Sequence, residues 1–553
     1  MSTPQPRGAR LETLTSLRFF AAAMILVGHV HGVFESSNPL AVHLALNQGV
    51  SFFFVLSGFI LAYVYPGLER PGDAGRFIVA RFARVWPAHI ATFLLVLLLV
   101  PAAGRSTVDG TPWWITGLNL AMLQSWFPTW QSFLSWNGVS WSISTEWFFY
   151  LCFIPLVAVV PRLGWRCLPI ALLLPVGLII LCNVLALSHE AWAPGMTPHG
   201  LVYIFPVARI AEFILGMWLA RWWTQARPLH ATSAGAATAV ELGTVLLAFA
   251  AMHMLPKLAY LPSVAGVIGH AGQEWLCSSG GAPAYAALIA VFASQRGWCS
   301  RVLAQPLPVL LGEISYAMYL VHTIWLRFYQ GNEAAFADLH WGVRYAGYVA
   351  LVLGTSFLVW YLVEVPMRNR ITAWWKRRTA GGATRAARPA PAGPPPPPDA
   401  SAIAAAWSDR AVWLVLPLTC VLGGWAVGVA ARPPAAPAAV AAVTLTAGEL
   451  RFAEGFTLRA LTMDGDGALR FDWQLPPTGA GDLMVAVHLL DAAGERVAAA
   501  DHPLSASGRL VLPAGPWVRL GLGLYRPPGA LLSVEAARTD WDGHRVLIDR
   551  PYR

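Results

Sequence analysis

Arg18 and His29 stand eleven residues apart in "LRFFAAAMILVGHVHGVF", Leu17–Phe34. At 100° per residue that spacing returns to one face of a helix, with roughly 16 Å between the two positions. Both are out of place in an apolar run, since a charge at the centre of a spanning helix costs about 2.5–3.5 kcal/mol even on the lenient insertion scale. A guanidinium can hold an anion with two parallel hydrogen bonds. An imidazole, with an ordinary pKa near 6.5, can take a proton from a hydroxyl and return it. Plainer roles are a snorkelling anchor for Arg18 and a core histidine bonded to a neighbouring helix for His29.

Three more ionisable residues are expected at similar depth on other helices: Glu146 in "SWSISTEWFFY", Arg209 in "IFPVARIAEF" and His322 in "ISYAMYLVHTIW". Together with His29 they are costly unless they enclose a polar cavity or form an internal ion-pair network; Glu212, one turn from Arg209, is a ready partner. A second group, Arg76, Arg81 and Arg84 in "RFIVARFARVWP", lies at the opposite end of the bundle. As a charge run it reads first as a membrane anchor, but arginine also recognises phosphate. A basic inner mouth with a His/Glu/Arg cluster farther out suits moving an acyl group from a phosphate-bearing donor to an external hydroxyl.

The elements that position these residues are membrane helices. Of 553 residues, 56% are hydrophobic and 12% charged, and the mean hydropathy is +0.53. Soluble chains carry about 25% charged residues. The first apolar run exceeds signal-peptide length and shows no small-residue cleavage site. Runs of about 20 apolar residues place spans near Thr13–Val33, Gly49–Tyr65, Trp86–Ala103, Ser140–Val160, Arg166–Leu187, Val202–Trp222, Ala239–Leu255, Ala282–Phe292, Pro308–Phe328 and Tyr345–Val365. The Trp-rich run Trp113–Phe127 is short and reads as interfacial or re-entrant. With the N-terminus inside, the inner loops hold most of the arginines and the outer loops are nearly bare, apart from Arg105 and Lys257. That asymmetry explains the net charge of +9 as topology rather than nucleic-acid binding. The six cysteines lie in or beside apolar runs and form neither a disulfide framework nor a metal pattern.

The expected fold is therefore a polytopic α-helical membrane domain of ten spans over residues 1–371. A basic, then Pro/Ala-rich linker follows at 372–410, with "AGPPPPPD" extended, and an eleventh span at 411–430. Residues 440–553 differ in texture: "ALRFDWQL", "DLMVAVHLLD", "GRLVLP", "VRLGLGLY" and "LLSVEAA" read as short strands between turns, predicting a small all-β sandwich outside the membrane. "DGDG" at Asp464–Gly467 reads as a hairpin turn.

The chain resembles the acyltransferase family 3 membrane proteins over roughly residues 11–371. The resemblance rests on the Arg18/His29 spacing, "GVSFFFVLSGFIL" at Gly49–Leu61, "RFARVWP" at Arg81–Pro87, "SWSISTEWFFY" at Ser140–Tyr150, "LGEISYAMYLVH" at Leu311–His322 and "VEVPMR" at Val363–Arg368, in this order. It implies O-acylation of a bacterial cell-envelope glycan or its lipid-linked precursor in the inner membrane, with acetyl-CoA or a related acyl-CoA as donor substrate and no bound cofactor or metal. It also implies essential roles for Arg18 and His29, with Arg81 and Arg84 toward the donor. Glu146 is expected to orient the His29 imidazole. Arg209 and His322 are expected to bind the acceptor or the developing oxyanion, with Ser140 and Tyr316 among the substrate-binding candidates. A serine relay through Ser57 or Ser140 is weaker, because helix hydroxyls mostly bond locally. Many relatives have Asp where this chain has Ser51, so Ser51 is given no role. The C-terminal domain lacks a GDS block and reads as a non-catalytic glycan-binding or positioning module. A transporter or channel, and an inert scaffold with a glycan-binding tail, are the competing classes; no repeated pair of broken helices favours the former.

Overall fold

The computed structural model describes residues 11–380 apart from 32, 35–42, 101–110, 190–192, 194 and 230–231; residues 415–423; and the strands, with part of their connections, between 443 and 549. The chain divides into two compact units, Met1–Ala431 and Arg432–Arg553.

The first unit is helical. Its long helices are α1 Glu12–His29, α2 Gly49–Val64, α3 Asp73–Leu99, α4 Trp141–Leu163, α5 Cys167–Val184, α6 Pro206–Ala226, α7 Ala234–Ala259, α8 Pro262–Ser279, α9 Ala282–Ala293, α10 Pro306–Gln330, α11 Trp341–Leu358 and α12 Val365–Ala380. Among the described residues, eight segments are long and apolar enough to cross a membrane; α4 with α5, α8 with α9, and α11 with α12 each count as one. The chain is thus a multi-pass helical protein. Proline opens α6, α8 and α10, where its missing N–H costs nothing, and Ser233 caps α7 by accepting from the Ala236 amide at 3.3 Å. Leu173, Ile180 and Val184 on α5, and Leu242 and Leu246 on α7, face outward, as lipid contact requires.

Helix contacts are set by small residues. A Cβ on Gly58 would overlap the Phe213 carbonyl oxygen, and one on Gly216 would overlap that of Val55, so α2 and α6 cross at reciprocal glycines. Gly312 of α10 likewise lies against the Thr15 carbonyl of α1. These crossings seat α2 on α6 and α10 on α1.

Several boundaries differ from the expected ones. α3 begins at Asp73, not Trp86, so its arginine-rich half is helical. α8 had no counterpart among the predicted spans, because Gly266, Gly269, Gly272, Gln273 and Glu274 interrupt its apolar run; Gly269 kinks it at φ 63°. The Trp-rich run forms a helix at Trp113–Leu120 and a single 3-10 turn at Gln124–Trp126. Eight residues rise only about 12 Å, too little to span. α12 continues past residue 371 to Ala380. Residues 415–423 are helical, with Val415, Leu416 and Leu422 packed on the core and Thr419 against Gly354. The rest of the predicted eleventh span, the linker from 381 and the "DGDG" turn lie outside the described residues.

Among the described residues the second unit holds two antiparallel sheets, one of six strands and one of five. The first is built around Thr457–Met463 paired with Ala468–Gln474, where Leu461 faces Phe471. The second is built around Met484–Leu490 paired with Arg519–Tyr525, from Met484 opposite Tyr525 to Leu490 opposite Arg519. In Ala468–Gln474, Leu469, Phe471 and Trp473 are buried while Arg470, Asp472 and Gln474 are exposed, the period-two pattern of a half-buried strand. Phe471 and Trp473 of one sheet join Val485, Val487, Leu520 and Leu522 of the other in one apolar core.

Candidate active site

A cavity of about 200 Å³ opens between α1, α2, α3, α4 and α10. α1 contributes Arg18, α2 Ser57, α3 Arg81 and Arg84, α4 Ser142, Glu146 and Tyr150, and α10 Tyr316 and Tyr319. Helical spacing explains the pairs: Arg81 and Arg84 are three apart, Glu146 and Tyr150 four apart, so each pair shares a face. The Tyr150 hydroxyl donates to Glu146 Oε1 at 2.6 Å, and Ser57 donates to the same oxygen at 3.1 Å.

The three arginines differ in what holds them. Arg84 is ion-paired with the fully buried Glu364, which Arg368 also approaches at 3.8 Å. Glu364 ends the π-helical turn Val359–Glu364 that leads from α11 into α12, a local widening of the kind that recurs at functional sites. The Tyr316 ring lies 5.9 Å from the Arg84 guanidinium carbon, and its hydroxyl donates to the Val85 carbonyl at 2.9 Å. Arg81 lies over Tyr65 and Phe77, at 5.7 and 6.0 Å, and its buried Nε has no hydrogen-bond partner. Arg18 makes no hydrogen bond or ion pair among the described residues; Arg84, Glu313, Glu146 and Glu364 act on it through space. Arg18 and Arg81 therefore line the cavity with guanidiniums that no carboxylate bonds directly among the described residues, which suits an anion with several oxygens.

His29 does not line this cavity. It ends α1, is exposed, and meets His322 of α10, Nδ1 to Nε2 at 3.2 Å. Glu146, expected beside His29, is taken up instead by Ser57 and Tyr150 in the cavity that Arg18 lines, three turns down α1 from His29. Of the four residues expected to converge, only His29 and His322 touch.

Arg209 is fully buried and clamped to Glu212, Nε to Oε2 at 2.6 Å and Nη2 to Oε1 at 3.0 Å, with Nη1 donating to the Tyr203 carbonyl at 2.8 Å. It belongs to the internal ion-pair alternative rather than to the cavity. Ser51 donates to Glu212 and so completes the same cluster. Ser140, expected to bind substrate, is buried and accepts from Gln124 Nε2 at 3.0 Å; the serines on the cavity are Ser57 and Ser142. Sequence reasoning missed Tyr150, Tyr319 and Glu364. Tyr150 was findable, since it stands four residues after Glu146 in the quoted motif.

A family model described as an acyltransferase domain matches residues 11–363. Acyltransferase MdmB of Streptomyces mycarofaciens is 28% identical over 368 residues, covering 63% of this chain and 88% of that protein. Exopolysaccharide production protein ExoZ of Rhizobium meliloti (strain 1021) is 27% identical over 314 residues, covering 53% of this chain and 80% of that protein. No solved structure matches. The chain belongs to the acyltransferase 3 family and is a multi-pass membrane acyltransferase.

Proposed function

We propose that the protein moves an acetyl group from cytoplasmic acetyl-CoA to a hydroxyl of an envelope polysaccharide or its lipid-linked precursor. The observation that carries this reading is the convergence of Arg18, Arg81 and Arg84 on one cavity, at the far end of the helix that terminates in exposed His29. The guanidiniums would hold the donor's phosphates, with Tyr316 beside Arg84. An extended pantetheine arm would then cover the roughly 16 Å from Arg18 toward His29. His29 takes the proton of the acceptor hydroxyl as its oxygen attacks the thioester carbonyl. The new C–O bond forms, the C–S bond breaks, and the thiolate leaves, finally as the thiol. Glu146, held by Ser57 and Tyr150, balances part of the positive charge and remains a candidate for the chemical step. Arg209 and Ser140 drop out of the substrate-binding set.

The similarity to an exopolysaccharide production protein supports a polysaccharide acceptor. The topology that fits is ten spans with a cytoplasmic N-terminus in the bacterial inner membrane and an eleventh span carrying the chain outward. The two sheets would then form a glycan-binding sandwich outside. Purified protein in vesicles tests the reading. Free thiol should appear from acetyl-CoA only when envelope glycan is present, with label recovered on the glycan. Movement of a labelled solute without thiol release would replace it with a transporter.

A further inference from the structure

We propose that His322 is a positioning residue: through an imidazole–imidazole hydrogen bond it fixes the tautomer of His29 and leaves Nε2 of His29 as the lone pair that accepts the proton. This rests on the reading of His29 as the base.

The argument is a chain of hydrogen-bond roles. His322 is completely buried, and its Nδ1 lies 2.7 Å from the Tyr319 carbonyl oxygen. A carbonyl only accepts, so Nδ1 of His322 carries the hydrogen. No carboxylate bonds to this ring among the described residues, and an enclosed, unpaired charge is costly, so the ring is neutral and its Nε2 is bare. That bare nitrogen faces His29 Nδ1 at 3.2 Å. The other neighbour of His29 Nδ1 is the Ile25 carbonyl at 3.0 Å, also an acceptor. Both partners demand a hydrogen on His29 Nδ1, which leaves Nε2 unprotonated on the exposed ring. An unconstrained imidazole favours the opposite tautomer, with its hydrogen on Nε2, so the arrangement has to be imposed.

The surroundings are built to impose it. Tyr348 of α11 donates to the His322 carbonyl at 3.2 Å and holds that turn of α10 in place. Gly312 lets α10 approach α1 closely enough for the two rings to meet. In serine hydrolases a carboxylate does this work. At membrane depth a buried carboxylate is costly, whereas a neutral imidazole offers the same acceptor without a charge. When His29 takes the hydroxyl's proton, its Nδ1–H bond to His322 becomes charge-assisted and so strengthens as the reaction proceeds.

The test compares wild type, His322→Gln and His322→Leu in acetyl transfer from acetyl-CoA to envelope glycan, with His29→Ala as reference. Loss of the correct tautomer costs on the order of 10⁴ in kcat in serine proteases. His322→Leu should therefore lose at least about 100-fold in kcat with the acceptor KM unchanged. His322→Gln, whose side-chain oxygen can accept from His29, should stay within about tenfold of wild type. A raised acceptor KM with kcat kept, or a fully active Leu variant, would overturn the proposal. Nitrogen-15 spectra of histidine-labelled wild type give a second readout should the His322 variants fail to fold. The signal lost in His29→Ala should report hydrogen on Nδ1, and hydrogen on Nε2 would overturn the proposal. Wild-type turnover untouched by His29→Ala would instead remove the base reading on which the proposal rests.

Discussion

Arg209 tests whether a buried charge in this protein is structure or site. Its guanidinium is fully buried, bound to Glu212 by two hydrogen bonds and to the Tyr203 carbonyl by a third, with Phe54 and Tyr203 rings 5.0 and 5.3 Å from its carbon. Arg209→Met leaves Glu212 with Ser51 as its remaining partner. Stranding one member of a buried pair costs about 3–5 kcal/mol, against a total stability of about 5–15 kcal/mol. In a unit this large each kcal/mol moves the unfolding temperature by at most about 2 °C, so Arg209→Met should lower it by no more than about 6–10 °C. Glu212→Leu alone should do similar damage. The double variant Arg209→Met, Glu212→Leu removes both charges and should return to within about 1 kcal/mol of wild type. Thermal unfolding in detergent, followed by intrinsic tryptophan fluorescence, measures all four corners of this cycle. Single variants that unfold like wild type but bind the acceptor poorly would refute the assignment and make Arg209 a ligand group.

Arg81→Ala should raise the KM for acetyl-CoA about tenfold, equal to about 1.4 kcal/mol of binding, with folding intact because Arg81 has no ion-pair partner among the described residues. Arg84→Ala should add a stability loss, because it strands buried Glu364. Steady-state kinetics with a thermal shift separates the two. Gly58→Ala and Gly216→Ala should each destabilise by about 1–3 kcal/mol through overpacking, while Gly177→Ala, which meets nothing within 4 Å, should not; unfolding temperatures decide. Tyr150→Phe removes a hydrogen bond to a carboxylate worth about 1.5–3 kcal/mol. If Glu146 takes part in the chemistry, kcat should fall about tenfold or more, and an unchanged kcat would remove it from the catalytic set.

Helices that are apolar throughout were legible, and their boundaries fall within a few residues of the hydropathy runs; α2 and α4 are examples. Helices with a polar half were not. α3 carries Arg76, Arg81 and Arg84 on a helical half that looked like a loop, and α8 is broken by glycines and by Glu274. The strands of the second unit were readable because their alternation marks a buried face, as in Ala468–Gln474. Depth was misjudged for Glu146, which lines the cavity with Arg18 three turns down α1 from His29. For Arg209 it was rotation about the helix axis that the sequence did not show, since its guanidinium turns to Glu212 and the Tyr203 carbonyl. Hydropathy orders residues along the membrane normal, whereas partners are chosen by which face a helix turns inward. The His29–His322 contact, 293 residues apart in sequence, became visible only once α1 and α10 were packed. Glu364 was hidden for the same reason: its partner Arg84 lies 280 residues away.

The central claim is that the helix joining Arg18 to His29 carries the chemistry. Its most direct test is transfer of labelled acetyl from acetyl-CoA to envelope glycan by membranes containing wild type or His29→Ala at matched levels. The account predicts label on the glycan with wild type and background with the variant. Equal labelling by both would contradict it.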